Sequence, residues 1–409
     1  MRTWLAGSGR LPKLGTIGSV LGIAITFGAS GCASIDRLPA VTLAQEAKAS
    51  VGEIRDARVY VRDKERIAAI AQQAYLRRAK VKAASAPQYF LALSGGGDDG
   101  AFGAGLLTGW SARGNRPSFD VVTGVSTGAL SAPFAYLGRD YDPKLRQIYS
   151  DTSADAIYRP RTILAAVTED AMADDTPLRN MIARYVSGAM VRRIAEEYSK
   201  GRLLLILTTN LDQGRPVIWN IGAIATSGSP AARDLIIDVL LASTSMPAVF
   251  PPVMINVTVD GKQYQEMHVD GGTVAQAFLY PPSFSARQAA ARLGISAAKF
   301  RASRKRVAYI IRNGRLWPSE ETVERQTVAI AKQAISTMIA SSGVNDTYRM
   351  YLITRRDGVD FNLASIGDDF TVPYKGPFDK GYMNALFAYG FEKGRVGYPW
   401  QKSPPGYAR

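Results

Sequence analysis

This 409-residue sequence predicts a layered α/β fold with a mainly parallel central sheet, and three observations carry the prediction. From Gln88 onward, short apolar strands alternate with helical segments. The first of those strands, 89–94, runs directly into a glycine loop at 95–100, and the second, 119–125, runs through Gly124-Val125-Ser126-Thr127-Gly128 into a helix. Strand, tight turn and helix in that order place functional groups at the carboxyl end of a sheet, where chemistry collects in such folds.

Taken in order, residues 1–13 carry Arg2, Arg10 and Lys13 and no acid, and an uncharged run over 14–31 ends in Ala29-Ser30-Gly31 before the sole cysteine, Cys32. A basic start, a short apolar stretch and small residues at its end form a secretory address; the run is too short and glycine-rich for a stable membrane span. Residues 34–87 are charged and alanine-rich and read as a linker followed by one or two helices. Their cluster Arg77, Arg78, Lys80 and Lys82 suits either a phospholipid surface or a solvated helix end.

After the glycine loop, 101–113 reads as an apolar helix and Thr127–Leu137 as the helix behind the second strand. Farther on, 202–209 and 306–312 are buried-strand candidates, 231–243 and 320–341 helices. Asp260-Gly261 between 253–259 and 263–269 signals a β-hairpin.

Composition narrows the class. With 46% hydrophobic and 21% charged residues the chain is ordinary globular material, which excludes a disordered, collagen-like or polytopic membrane protein. One cysteine excludes a disulfide scaffold, and one histidine, His268, excludes a histidine-rich zinc site. Fifty Lys and Arg against 35 Asp and Glu leave a formal charge of +15, which favours anionic partners, a phospholipid surface or nucleic acid. No helix carries a nucleic-acid recognition pattern, and secretion would remove the chain from cytoplasmic nucleic acid, so no nucleic-acid partner is expected.

Three loops carry the chemistry. Ser94-Gly95-Gly96-Gly97-Asp98-Asp99-Gly100 uncovers backbone N–H groups beside a helix N-terminus and suits an oxyanion or phosphate. Gly95, Gly97 and Gly100 also satisfy the dinucleotide-binding spacing, with Asp120 as ribose ligand. Against that reading, Asp98 and Asp99 stand where a pyrophosphate would approach, and Asp120 begins its strand instead of ending it. The second loop, with Ser126 between Gly124 and Gly128, has the form of a nucleophile elbow. The third, Asp270-Gly271-Gly272, ends a strand, from which its carboxylate can reach the elbow if the two strands are neighbours.

A glycine-rich loop, GxSxG about thirty residues later and a distal Asp-Gly-Gly together resemble the motif set of the patatin-like phospholipases. Ala101-Phe102-Gly103, the run from Ala242 to Pro252 and the run from Leu207 to Asp212 are similar to family segments too. The resemblance covers 88–274 specifically and 307–400 more loosely. It implies a three-layer α/β/α fold and a lipid acyl hydrolase that needs no cofactor and no metal. It further implies a Ser-Asp dyad of Ser126 as nucleophile and Asp270 as base, with the N–H groups of Gly95, Gly96 and Gly97 as oxyanion hole. The family usually has Arg or Lys where Asp99 stands, which bears on anionic head groups. The Ala-Ser-Gly-Cys ending is similar to a bacterial lipobox, with Ala29 in place of the usual Leu, which implies lipidation of Cys32.

The expected organisation is therefore a lipoprotein-type signal at 1–31, a linker and helical segment at 32–87, a catalytic core at 88–280, and a C-terminal α/β extension at 281–409 packed on that core. The expected function is an acyl hydrolase anchored in a bacterial cell envelope at the outer membrane, facing the periplasm, with membrane lipids or other lipid esters as substrates and the membrane surface as partner. A secreted or periplasmic location is the alternative. Two rival functions stay open: a catalytically silent lipid-binding lipoprotein of the same fold, and a Ser-His-Asp esterase using His268, which lies on the same strand face as Asp270.

Overall fold

The computed structural model describes residues 36–407, apart from 84, 162–169, 318–321 and much of 283–304. The secretory segment 1–31 and Cys32 lie outside the described residues.

The strands are β1 (Arg58–Tyr60), β2 (Gln88–Leu93), β3 (Val121–Gly124), the short pair β4 (Arg159–Pro160) and β5 (Ala173–Asp174), then β6 (Leu203–Asn210), β7 (Arg215–Asn220), β8 (Val253–Val259), β9 (Lys262–Asp270), β10 (Arg306–Arg315) and β11 (Asp360–Ile366). Between them run α1 (Lys64–Ala79), α2 (Gly100–Ala112), α3 (Thr127–Leu137), α4 (Asp142–Ser150), α5 (Thr176–Tyr185), α6 (Gly188–Ser199), α7 (Ile221–Ala225), α8 (Ala232–Thr244), α9 (Thr327–Asp357) and α10 (Lys380–Val396).

The main sheet has the order β1-β7-β6-β3-β2-β10-β11, and the β8–β9 hairpin joins it through β9 on β6. From β6 to β11 the path is parallel throughout. Successive side chains point to opposite faces, so each strand feeds two cores. On one face Leu91, Leu93, Leu204 and Ile206 join residues of α2, α3, α8 and α10 in the largest cluster. On the other, Phe90, Ala92, Ala308 and Ile310 pack with Met350 and Tyr351 of α9, while Leu203 and Leu207 pack with Ile67 and Ile70 of α1. The result is the three-layer α/β/α arrangement. β10 and β11 extend the sheet that holds β2 and β3, so the C-terminal part of the chain shares one hydrogen-bonded layer with the site-bearing strands.

Several elements match their sequence signals closely. The Asp260-Gly261 turn has φ of 48° and 79° at its two residues, the left-handed pair that a two-residue hairpin needs. Others were not legible. β1 lies within the expected linker and pairs with β7, which had no sequence signal assigned. The expected helix at 320–341 starts at Thr327 and runs on to Asp357, where Gly358 caps it with φ 65°. The helix continues past the expected end through Ser341-Ser342-Gly343, where the Arg312 guanidinium lies against Gly343 and donates to the Ala340 carbonyl at 3.2 Å, so tertiary packing supports it there.

Candidate active site

β3 delivers Ser126 one residue past Val125, at the N-cap of α3, with φ 53° and ψ −127°. A serine at positive φ is costly, and here the turn is held on both sides. The Ser126 N–H donates to Ser243 Oγ at 3.1 Å, and Ser243 Oγ donates to the Leu207 carbonyl at 2.7 Å. A Cβ on Gly128 would overlap the carbonyl oxygen of Leu93, so α3 can start this close to β2 only with glycine there.

The Asp-Gly-Gly strand is not β3's neighbour. β6 pairs with β3 over its first half and with antiparallel β9 over its second, Gly124 standing opposite Ile206 and Asp270 opposite Thr208. β3 and β9 thus abut end to end along one flank of β6. The Ser126 hydroxyl lies close enough to the Asp270 carboxylate there to favour its ionised form. The Gly272 N–H donates to Asp270 Oδ1 at 2.6 Å, and the Asp270 N–H donates to the Ser245 carbonyl at 2.9 Å. Burial pushes the Asp270 carboxyl up to about 6, against the Ser126 hydroxyl and the Gly272 N–H, which favour the ionised form.

The glycine loop lies against this pair, since a Cβ on Gly95 would approach Ser126 Cβ within 3.2 Å. Gly95 departs from the expectation for it: its N–H already donates to the Gln276 carbonyl at 2.9 Å, so it is not a free oxyanion donor. Gly96 and Gly97 remain, with φ of 153° and 58°. At Gly96 a side chain is excluded twice, by that backbone angle and by the Asn313 carbonyl oxygen, which a Cβ would overlap. Asn313, buried at the end of β10, organises the loop. Its N–H donates to Ser94 Oγ at 2.8 Å, its side-chain amide donates to the Ser94 carbonyl at 2.8 Å, and its Oδ1 accepts the Gly103 N–H at 3.1 Å. Asp98 and Asp99 are engaged by the chain at the start of α10: Asp98 accepts the Phe378 N–H at 3.0 Å and Asp99 the Tyr382 hydroxyl at 2.8 Å, and burial raises Asp99 to about 6.

Sequence reasoning missed Ser243, Gln276 and Asn313 as supports. A polar residue at the carboxyl end of a parallel strand was the available signal for Asn313. Asp120 has a structural task at the amino end of β3, where it takes Arg78 and Lys82 at 2.9 Å each and the Tyr89 N–H at 3.0 Å. Those two cations of the basic cluster are thereby ion-paired within the protein.

His268 is not brought to Ser126. It is fully buried, with Nδ1 2.9 Å from Thr208 Oγ1 and Nε2 3.1 Å from Glu266 Oε2. Trp219 Nε1 donates to the same Thr208 hydroxyl at 2.8 Å, and the Arg58 guanidinium clamps Glu266 through two nitrogens. Proton by proton the chain closes: indole to hydroxyl, hydroxyl to Nδ1, and Nε2–H to the carboxylate. Burial lowers the imidazole's affinity for a proton, and both ring nitrogens are occupied. The Ser-His-Asp alternative therefore has no histidine in reach.

Residues 91–280 match the family model described as patatin-like phospholipase. Among solved structures, the crystal structure of VipD from Legionella pneumophila aligns at 11% identity and a TM-score of 0.34, over 76% of this chain and 66% of VipD. The chain thus spans just under two thirds of that protein's length. No curated protein sequence matches the chain.

Proposed function

Residues 91–280 form a patatin-like phospholipase domain, and from that premise we propose that the protein is a serine acyl hydrolase that releases fatty acid from phospholipids or other lipid esters with a Ser126–Asp270 dyad. The observation that carries the reading is that the Ser126 hydroxyl and the buried Asp270 carboxylate lie where β3 and β9 abut along β6, close enough for the hydroxyl to favour the ionised carboxylate. In the first half-reaction Ser126 Oγ attacks the ester carbonyl while Asp270 takes the hydroxyl proton. The tetrahedral oxyanion is met by the N–H groups of Gly96 and Gly97. Collapse breaks the ester bond, and Asp270 returns the proton to the departing alcohol. A water then gives its proton to Asp270 and attacks the acyl-serine; the Oγ–acyl bond breaks, Asp270 hands that proton to Ser126 Oγ, and the fatty acid leaves with both residues restored. A base raised to about 6 suits this task, since it is ionised at neutral pH yet a stronger proton acceptor than an ordinary aspartate.

The experiment is hydrolysis of a panel of phospholipids, lysophospholipids and short-chain esters, combined with labelling by a serine-directed phosphonate. Ester turnover with label on Ser126 alone is the expected result. Label on another serine, or no turnover of any ester, would remove the proposal.

The second part of the reading is an anchor: Cys32, lipidated as the first residue of the mature chain, holds the enzyme at the outer membrane of a bacterial envelope, facing the periplasm. It is supported by the basic start, the uncharged run and the small residues before Cys32. Mass spectrometry of the mature protein should show an acylated N-terminus at Cys32, and Cys32→Ala should move the protein to the soluble fraction. An intact Met1 on the mature protein would rule the anchor out.

A further inference from the structure

α9 is longer than the sheet it returns across. Its 31 residues rise about 46 Å at 1.5 Å each, whereas the 7 residues of β11 rise only about 23 Å. As the connection between parallel β10 and β11, it starts at the carboxyl end of the sheet and finishes at the amino end. Its first half therefore stands out beyond the sheet edge that carries Ser126 and the glycine loop.

Burial follows this geometry. In the second half Met350, Tyr351 and Ile353 share a core with Phe361 and Leu363. In the first half Ile330, Ile335 and Met338 are 53%, 57% and 71% exposed. These three spread over roughly 140° of the helix circumference at 3.6 residues per turn, a broad apolar face. A helix standing in water is expected to carry charges on such a face. Between Gln326 and Asp346 this chain has one charged residue, Lys332, and no carboxylate. Trp317, 61% exposed just past the end of β10, lies at the same edge and is of the side-chain type that settles at lipid head-group level.

Below its projecting half, α9 is tied to the candidate site. A pocket of about 570 Å³ runs along α9 between Thr337 and Arg349, with Val274, four residues past Asp270, on its other side. Just below, Asp346 accepts the N–H groups of Gln276 at 2.6 Å and Ala277 at 3.1 Å, and the Gln276 carbonyl holds the Gly95 N–H. The helix and the glycine loop are thus joined through one hydrogen-bonded residue.

We infer that the first half of α9, residues 327–340, is a membrane-docking helix that adsorbs to the surface of an anionic phospholipid bilayer and sets the Ser126 mouth against it. Among the described residues no helix is long and apolar enough to cross a membrane, so this one enters the interface without spanning it. The formal charge of +15 draws the chain as a whole to an anionic lipid surface, and the apolar face itself carries no carboxylate to oppose the contact. The purpose of the docking rests on the hydrolase reading; the adsorption itself does not.

The test uses the full chain carrying Cys32→Ser, so that an anchor cannot mask the effect, and vesicles of equimolar phosphatidylcholine and phosphatidylglycerol. Ile330→Asp and Ile335→Asp are each expected to lower the fraction sedimenting with vesicles about tenfold, and hydrolysis of vesicle phospholipid with it. Turnover of a water-soluble short-chain ester and the thermal midpoint should stay at the parent's values. Vesicle partition equal to the parent's in both variants would overturn the docking helix. So would analytical ultracentrifugation showing that the substitutions break a dimer while partition is kept, because the face would then be covered by a second copy. A parent that hydrolyses no ester, with variants that still lose the vesicles, would defeat the hydrolase reading and leave the docking helix standing.

Discussion

Ser126→Ala and Asp270→Asn should each lower kcat/KM for ester hydrolysis by at least about a thousandfold, and the double variant should fall little further, because a nucleophile and its base act as one unit. Undiminished turnover in Ser126→Ala would refute the elbow. The parent's acidic limb supplies an independent reading. With Asp270 raised to about 6, kcat/KM should fall about tenfold per pH unit below that value, as the base is lost to protonation. The same shift has a consequence for stability. Between the ordinary carboxyl value of 3.8 and about 6 the folded state keeps a proton that the unfolded chain gives up, so this group makes stability fall as pH rises through that window. Asp270→Asn removes the buried charge and can still accept the Gly272 N–H. At pH 8 it should therefore unfold at a temperature equal to or above the parent's while being inactive. A strongly destabilised Asp270→Asn would show that the carboxylate serves the fold first.

The largest loss of stability is expected away from the site, in the buried cluster of Arg58, Glu266 and His268. Burial by itself would raise the Glu266 carboxyl, but the hydrogen bonds from His268 and Arg58 overcome it and hold it down at about 2. Glu266 is fully buried and Arg58 nearly so. Removing one partner leaves the other charge without compensation, so Arg58→Met or Glu266→Leu should cost about 3–5 kcal/mol in denaturant unfolding. The double variant should recover much of that, since an apolar pair leaves no uncompensated charge. His268→Gln should cost less, about 1–3 kcal/mol for a lost buried partner, and retain most of the ester turnover. A folded His268→Gln as inactive as Ser126→Ala would overturn the dyad, because it would mean that the imidazole handles the proton.

These two sets of residues also mark where sequence reading stops. Asp270 and His268 sit two apart on one strand and on paper share a face. Their separation into a catalytic candidate and a structural histidine comes from what faces each of them. Asp270 ends β9 where β3 also ends, whereas His268 lies opposite Asn210, among Thr208, Trp219 and Glu266. The glycine loop shows the same limit. Three adjacent glycines announce uncovered N–H groups, but Gln276, far along the chain, uses that of Gly95 and leaves Gly96 and Gly97.

The sequence alone determined the alternation of strands and helices, the elbow around Ser126, the glycine loop and the Asp260-Gly261 hairpin. Each is written in residues a few positions apart, through side-chain period and the backbone angles that glycine permits. Only the tertiary structure decided that β3 and β9 meet end to end on β6, that Asn313 and Ser243 brace the two loops, and that α9 outruns its sheet. Those outcomes depend on strand register and on hydrogen bonds between distant segments, and a short stretch of chain carries no information about which distant partner it will meet.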